Sequence, residues 1–275
     1  MSVVNSALNK LFDLLCYPFL NINPWWSMAF LSLLTGLLML AVFRFTSNQA
    51  GIRRAKDRIL GHLLEFRLFK DSIRVSLQAF GNILAQNLRY LSYTLKPLVV
   101  MIIPLLLILA QLNARYGYRP LRPGEQAILK VKTIPGTNPL DLDMSIAPAS
   151  GFAVETPALR LTEEGEIDWR LRAVSPGRHD IVLRWQNRSV VKIMEVGYPS
   201  LRLLAPRKPG RGFFDLFFNP AEPPLPKGVP LASIELSYSG RGLSLLGFNV
   251  HWLLAFFVLS LVFGFGLKGF FKVEI

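Results

Sequence analysis

The side chains from which an active centre could be assembled are few: three histidines, His62, His179 and His251, one cysteine, Cys16, and the close acidic pair Asp141 and Asp143. The histidines fall in three regions of different texture, so no zinc set or histidine-based triad can be built from neighbouring residues. Asp141 and Asp143 at i, i+2 would share one face of a strand, a geometry open to a hard divalent cation, although a solvated acidic face is its ordinary explanation. No phosphate loop, nucleophile elbow or dinucleotide fingerprint occurs. The expectation is a protein that is not an enzyme, with no catalytic residue, no cofactor and no metal. The informative polar groups lie instead within apolar stretches: Ser32, Thr35 and Arg44 in one, Gln111 and Asn113 at the end of another. Such groups face protein or a watery cavity, which makes these five residues candidates for lining an intramembrane groove. For Arg44, snorkelling to the interface is an equal alternative.

What must position these groups is a membrane. The chain has 275 residues, 51% of them hydrophobic, with a mean hydropathy of +0.36. That is too apolar for an ordinary water-soluble domain. The formal charge of +13 would suit nucleic acid if it were spread evenly. Residues 44–96 instead hold ten Lys or Arg against three acids, a net of +7, and residues 115–247 hold eighteen against thirteen. A basic stretch flanked by apolar runs reads as membrane topology, and nucleic acid is not expected as a partner. One cysteine allows no intrachain disulfide.

Three apolar runs are long enough to be spans: residues 24–46, 97–116 with Pro104 inside it, and 248–268 ending at Lys268. The positive-inside rule puts the basic loop 47–96 and the tail 269–275 in the cytoplasm, and the N-terminus and residues 117–247 outside. The cell inner or plasma membrane is the expected location. Residues 1–23 lack the features of a cleavable signal and carry apolar residues at helical spacing, which suggests an amphipathic helix in the outer interface, the alternative being a frayed tail.

From Ile59 onward Leu63, Phe66, Ile73, Leu77, Phe80, Leu84, Leu88, Leu91 and Leu95 form a near-heptad stripe. Both ends of the loop return to one membrane face, so the chain must turn, with Lys70, Asp71 and Ser72 the best place, giving an antiparallel helical hairpin. The stripe is expected to pack the hairpin against itself; the competing role is to receive a partner segment. Residues 117–198 show short alternating runs divided by Pro and Gly, as in Ile167, Trp169, Leu171 and Ala173, then Pro176-Gly177, then Ile181, Leu183 and Trp185. This predicts a β-sandwich similar in shape to immunoglobulin-like domains. Residues 199–247 are Pro/Gly-rich, with a further strand at Ser233–Tyr238 and an aromatic cluster of Phe213, Phe214, Phe217 and Phe218. The cluster is a candidate contact for the membrane interface or for a partner protein. Asn187-Arg188-Ser189 matches a glycosylation sequon. The fold class is therefore membrane α-helical, three transmembrane helices plus a cytoplasmic helical hairpin, with an extracytoplasmic all-β sandwich domain.

This order, together with Leu95-Lys96-Pro97-Leu98-Val99-Val100-Met101-Ile102-Ile103-Pro104 and the exit Arg115-Tyr116-Gly117, resembles the YidC/Oxa/Alb insertase superfamily. The similarity is greatest to its three-span members, the archaeal YidC-like proteins and the third subunit of the endoplasmic reticulum membrane protein complex. The resemblance covers residues 1–117 and the last span. It implies a shallow polar groove that eases client transmembrane segments into lipid without covalent chemistry, with Arg44 in the place of the family's groove cation. The β-domain between the second and third spans departs from the compact members. Partners would be the lipid bilayer and client membrane proteins. A non-catalytic envelope scaffold, binding partner proteins through β-domain and hairpin within a larger membrane complex, stands as the alternative.

Overall fold

The computed structural model describes residues 2–20, 22–68, 73–197, 201–245, 247–271 and 273. Six helices are described: α1 (Ser2–Cys16), α2 (Pro24–Thr46), α3 (Gln49–Leu68), α4 (Ile73–Tyr116), α5 (Phe213–Phe218) and α6 (Trp252–Leu267). The strands are β1 (Gln126–Thr133), β2 (Met144–Ile146), β3 (Phe152–Val154), β4 (Leu159–Leu161), β5 (Glu166–Ala173), β6 (Gly177–Trp185), β7 (Arg188–Val196), β8 (Arg207–Lys208), β9 (Leu231–Leu236), β10 (Leu243–Leu245) and β11 (Phe248–Val250). They group into two compact units, Met1–Ser27 with Leu107–Leu254, and Met28–Leu106 with Ala255–Ile275.

The described strands of the first unit form two larger antiparallel sheets, β3-β5-β1-β9-β8 with β4 also on β5, and β2-β6-β7, beside the short pair β10-β11. Alternation dictates the core. Ile167, Trp169, Leu171 and Ala173 of β5 are all buried, and Ile181 and Leu183 of β6 join them with Leu129 and Val131 of β1. β6 and β7 are joined by the two-residue turn Gln186-Asn187, between the paired Trp185 and Arg188, with Gln186 at a positive φ of 52°. That backbone is the hairpin type whose twist matches the strands, and it puts the sequon asparagine at the tip. β3, β4 and β8 are too short to have left a pattern in the sequence. Asp141 closes one turn of 3-10 helix (Pro139–Asp141) and Asp143 lies before β2, so the two are not strand neighbours and the shared-face geometry fails. Among the described residues no group of His, Cys, Asp or Glu is arranged to hold a metal.

The second unit is helical. Among the described residues two helices are long and apolar enough to cross a membrane: α2, and α4 over Leu77–Tyr116. α6 is equally apolar but has sixteen residues, about 24 Å at 1.5 Å per residue against a bilayer core of about 30 Å. It is shorter than expected because Phe248–Val250 pair with β10 before the helix begins. α2 and α6 meet closely: a Cβ on Gly36 would sit 3.3 Å from both the Gly264 nitrogen and the Ser260 oxygen. A glycine there lets two backbones approach, as small residues do in membrane bundles. α4 runs unbroken for 44 residues through Pro97 and Pro104, so the second limb of the hairpin and the second apolar run are one helix. α3 ends at Leu68 and α4 starts at Ile73; the expected turn at Lys70, Asp71 and Ser72 lies outside the described residues.

Candidate functional site

The arm made by α3 and the first half of α4 carries two heptad rows, and they have different fates. On α4 the row Ala79, Ile83, Gln86, Tyr90, Tyr93 and Pro97, spaced alternately by four and three, is buried or half-buried. Ile52 of α3 packs with Tyr90 and Tyr93, a Cβ on Gly51 would touch the Tyr93 ring at 3.0 Å, and Lys56 Nζ lies 5.9 Å from the Tyr90 ring centre. The second row, Leu77, Phe80, Leu84, Leu88, Leu91 and Leu95, stands on the opposite face with each residue 54–71% exposed. The expectation that this leucine stripe packs the hairpin against itself is therefore corrected. α4 is bifacial, and α3 takes the small and aromatic face, where a glycine and an alanine let the helices approach. On α3 itself Leu60, Leu63, Leu64 and Phe66 are exposed as well. The result is a basic arm with exposed apolar residues on both helices.

The five residues proposed to line a groove fall in both compact units. Ser32 and Thr35 belong to the helical unit and Gln111 and Asn113 to the other. Ser32 is fully buried, its hydroxyl without a hydrogen-bond partner among the described residues, and the Thr35 hydroxyl donates to the Leu31 carbonyl at 2.8 Å. Both sit within a turn of Gly36 and its close approach to α6. Arg44 is exposed at the end of α2. Gln111 is buried because it serves Arg115, whose guanidinium donates to Gln111 Oε1 at 2.6 Å, to the Asn9 carbonyl at 3.2 Å and to Asp13 Oδ1 at 2.6 Å. Asn113 is half-buried; its backbone oxygen accepts from the Gly117 nitrogen at 2.9 Å.

Arg115 was absent from the sequence candidates, yet it has no exposed side-chain surface and anchors α1. The signal was present as two polar rows at helical spacing, Asn5, Asn9 and Asp13 on α1 and Gln111 and Arg115 on α4. α1 is held further by Asn5 Nδ2 donating to the Leu216 carbonyl at 2.8 Å and Asn9 Nδ2 to the Pro220 carbonyl at 2.9 Å. Val3, Val4, Leu11 and Leu14 are left exposed beside the α5 aromatics. Phe213, Phe214, Phe217 and Phe218 stack on one another in α5, and all but Phe217 are largely exposed. Burial raises the Cys16 thiol pKa, with Asp13 adding to that and Arg115 opposing it.

Two clefts lie in the first unit. One, of about 350 Å³, has Asp13, Cys16, Arg178, Glu195 and Arg202 on its walls. The other, of about 520 Å³, is apolar, bordered by Met144, Ile146, Phe152, Val154, Pro157 and Trp169 where the outer strands β2 and β3 leave the sandwich open. Comparison with known proteins identifies no relative: no family model, no curated protein and no solved structure matches this chain.

Proposed function

We propose that this chain is a non-enzymatic membrane protein of the insertase type, which eases apolar client segments into the bilayer along α4. In this reading α2, α4 and α6 all cross the membrane, the basic arm is cytoplasmic, and the sandwich and α1 lie on the other side. One observation supports it above the rest: the helix long and apolar enough to cross a membrane over Leu77–Tyr116 carries two prolines inside it, Pro97 and Pro104. Proline has no N–H, so the carbonyls of Tyr93 and Val100 lose their usual i+4 donors. Val100 is 40% exposed. An acceptor at that depth offsets part of the cost of several kcal/mol carried by each unpaired donor of a client's polar stretch in hydrocarbon. In this reading the client path runs along α4, while Ser32 and Thr35 are enclosed near the approach of α2 to α6.

The test is reconstitution into liposomes and insertion of a short-tailed single-span client, with photo-crosslinkers at Ile103 and at Thr35. Insertion above empty vesicles, with client adducts at Ile103 and none at Thr35, supports the reading. No gain over empty vesicles sinks it. The second reading, an envelope scaffold, is favoured by the enclosure of Ser32 and Thr35 and by the open apolar cleft between β2 and β3. It predicts stable folded partners crosslinked through Val154 and no client adducts along α4.

A further inference from the structure

We propose that two copies of this chain pair side by side through the outer face of α4, as a parallel two-stranded coiled coil. The exposed face of α4 carries a strict heptad in which Gly81 takes the seam position next to Phe80. Leu77, Leu84, Leu91 and Leu98 recur every seven residues, and Gly81, Leu88, Leu95 and Ile102 recur every seven between them. A period of 3.5 keeps one seam facing another helix along its whole length, and over 77–98 that seam is about 33 Å long. It lies across the helix from the face that α3 covers, so pairing leaves the hairpin intact. Nothing lies within 4 Å of a Cβ built on Gly81, so the seam is open there too.

Charge says what covers it. The arm is strongly basic, yet the positions flanking the seam are neutral: Gln78, Ala85 and Ser92 on one side, Phe80, Asn87 and Thr94 on the other. In a parallel in-register pair these flanks meet as Phe80 with Ala85 and Asn87 with Ser92 of the second copy, and no like charges are opposed. Arg89 and Lys96 sit one position further round, clear of the contact, and Arg74 occupies a seam position only at the far end. An acidic partner would be met by cations on the flanks, and a lipid surface would need no seven-residue repeat. The parallel sense rests on the membrane placement proposed above, because two copies anchored in one membrane raise their arms in the same direction; the seam itself does not.

The experiment uses the full chain in mild detergent and in nanodiscs, with Cys16→Ser as background. Leu84→Cys and Leu91→Cys are expected to oxidise to a covalent dimer, and Arg89→Cys to do so about tenfold more slowly, since a disulfide needs Cα atoms within about 7 Å. Light scattering should give the mass of two chains for the unaltered protein at low and high salt alike, and of one chain for Leu84→Glu/Leu91→Glu. Equal crosslinking at all three positions overturns the proposal, as does a one-chain mass for the unaltered protein. A photo-probe at Leu88 that captures only lipid or only another protein overturns it too. Crosslinking in detergent is independent of client insertion, so a failed insertion assay leaves this result standing, and the reverse also holds.

Discussion

Asp13 accepts a 2.6 Å hydrogen bond from Arg115, and the two ends of that bond differ sharply in exposure: Arg115 is wholly enclosed while the Asp13 side chain is 59% exposed. The bond therefore works as a latch that fastens α1 to the last turn of α4. Losing the carboxylate leaves an enclosed cation with only carbonyl and amide oxygens around it. Because Asp13 is well solvated, the cost of Asp13→Asn should be about 1–2 kcal/mol, not the larger figure for a fully buried pair. Cys16 reports it: its thiol is buried and its pKa raised by that burial, so it should resist maleimide in the native chain. Asp13→Asn should speed labelling by about tenfold, which corresponds to ~1.4 kcal/mol of easier opening. Unchanged labelling would mean that α1 is held by Asn5 and Asn9 alone.

Acid sensitivity should be concentrated where the chain enters the sandwich. Arg119 grips Glu125 with both nitrogens, at 2.8 and 2.9 Å, and the Arg122 nitrogen and Ser239 hydroxyl also donate to that carboxylate. The arginine's bonds do most to hold the Glu125 pKa down at about 2, against an ordinary value of 4.5. A depressed carboxylate pKa contributes stability that is complete above about pH 4.5 and lost as pH falls through about 2. The shift alone would amount to about 3 kcal/mol; partial exposure reduces it to about 1–2. Glu125→Gln should lower stability by that amount at pH 7 and flatten the acid limb between pH 4.5 and 2, followed by tryptophan fluorescence.

The segment that follows β7 is tied down by a fully enclosed ion pair. Lys192 Nζ donates to Glu222 Oε1 at 3.0 Å and to the Ala205 carbonyl, and the same Glu222 oxygen accepts from the Ile193 nitrogen at 2.8 Å. Burial outweighs the attraction of Glu222 and brings the Lys192 pKa down to about 8. Glu222→Leu should cost about 3–5 kcal/mol by stranding Lys192, and Lys192→Met less, because Lys208 Nζ remains 3.8 Å from Glu222 Oε2; the double variant should cost less than the sum of the two. Protease resistance of the folded chain across the four proteins measures this. Additive losses would refute it.

The strands that alternate most cleanly were legible, because Ile167 to Ala173 and Ile181 to Leu183 fill the core by period two alone. The leucine row was legible as a heptad but its role was not. α4 carries two interleaved heptads, and hydropathy points to the leucines, whereas helix approach selects Ala79, Tyr90 and Tyr93. Lys192 and Glu222 meet across a long Pro/Gly-rich segment, and no local spacing announces such a pair. Arg115 was hidden for another reason: it closes an apolar run, where a cation reads as a helix end and not as a buried anchor.

Gly36 sets the distance between α2 and α6. With the Gly264 nitrogen and Ser260 oxygen 3.3 Å from the place a methyl group would take, Gly36→Ala should be accommodated by shifts of tenths of an ångström, and Gly36→Leu should part the helices. The detergent-solubilised chain should lose about 2–3 kcal/mol with leucine and under about 1 with alanine. A thermal-shift series separates the two, and equal losses would show that the contact is not limiting.

Pro104 is the residue on which the functional proposal turns. Replacing it by leucine restores an N–H at that position, which supplies the i+4 donor that the Val100 carbonyl lacks opposite proline. The helix should become straighter and the chain no less stable, since leucine is the better helix former. If the open carbonyl helps a client's polar stretch through the bilayer, Pro104→Leu should slow insertion by about tenfold, the equivalent of ~1.4 kcal/mol of lost hydrogen bonding at the barrier. Leu105→Ala, on the same turn but leaving the carbonyl untouched, should insert at the normal rate. Full insertion activity in a well-folded Pro104→Leu protein would remove α4 as the client path and favour the scaffold reading.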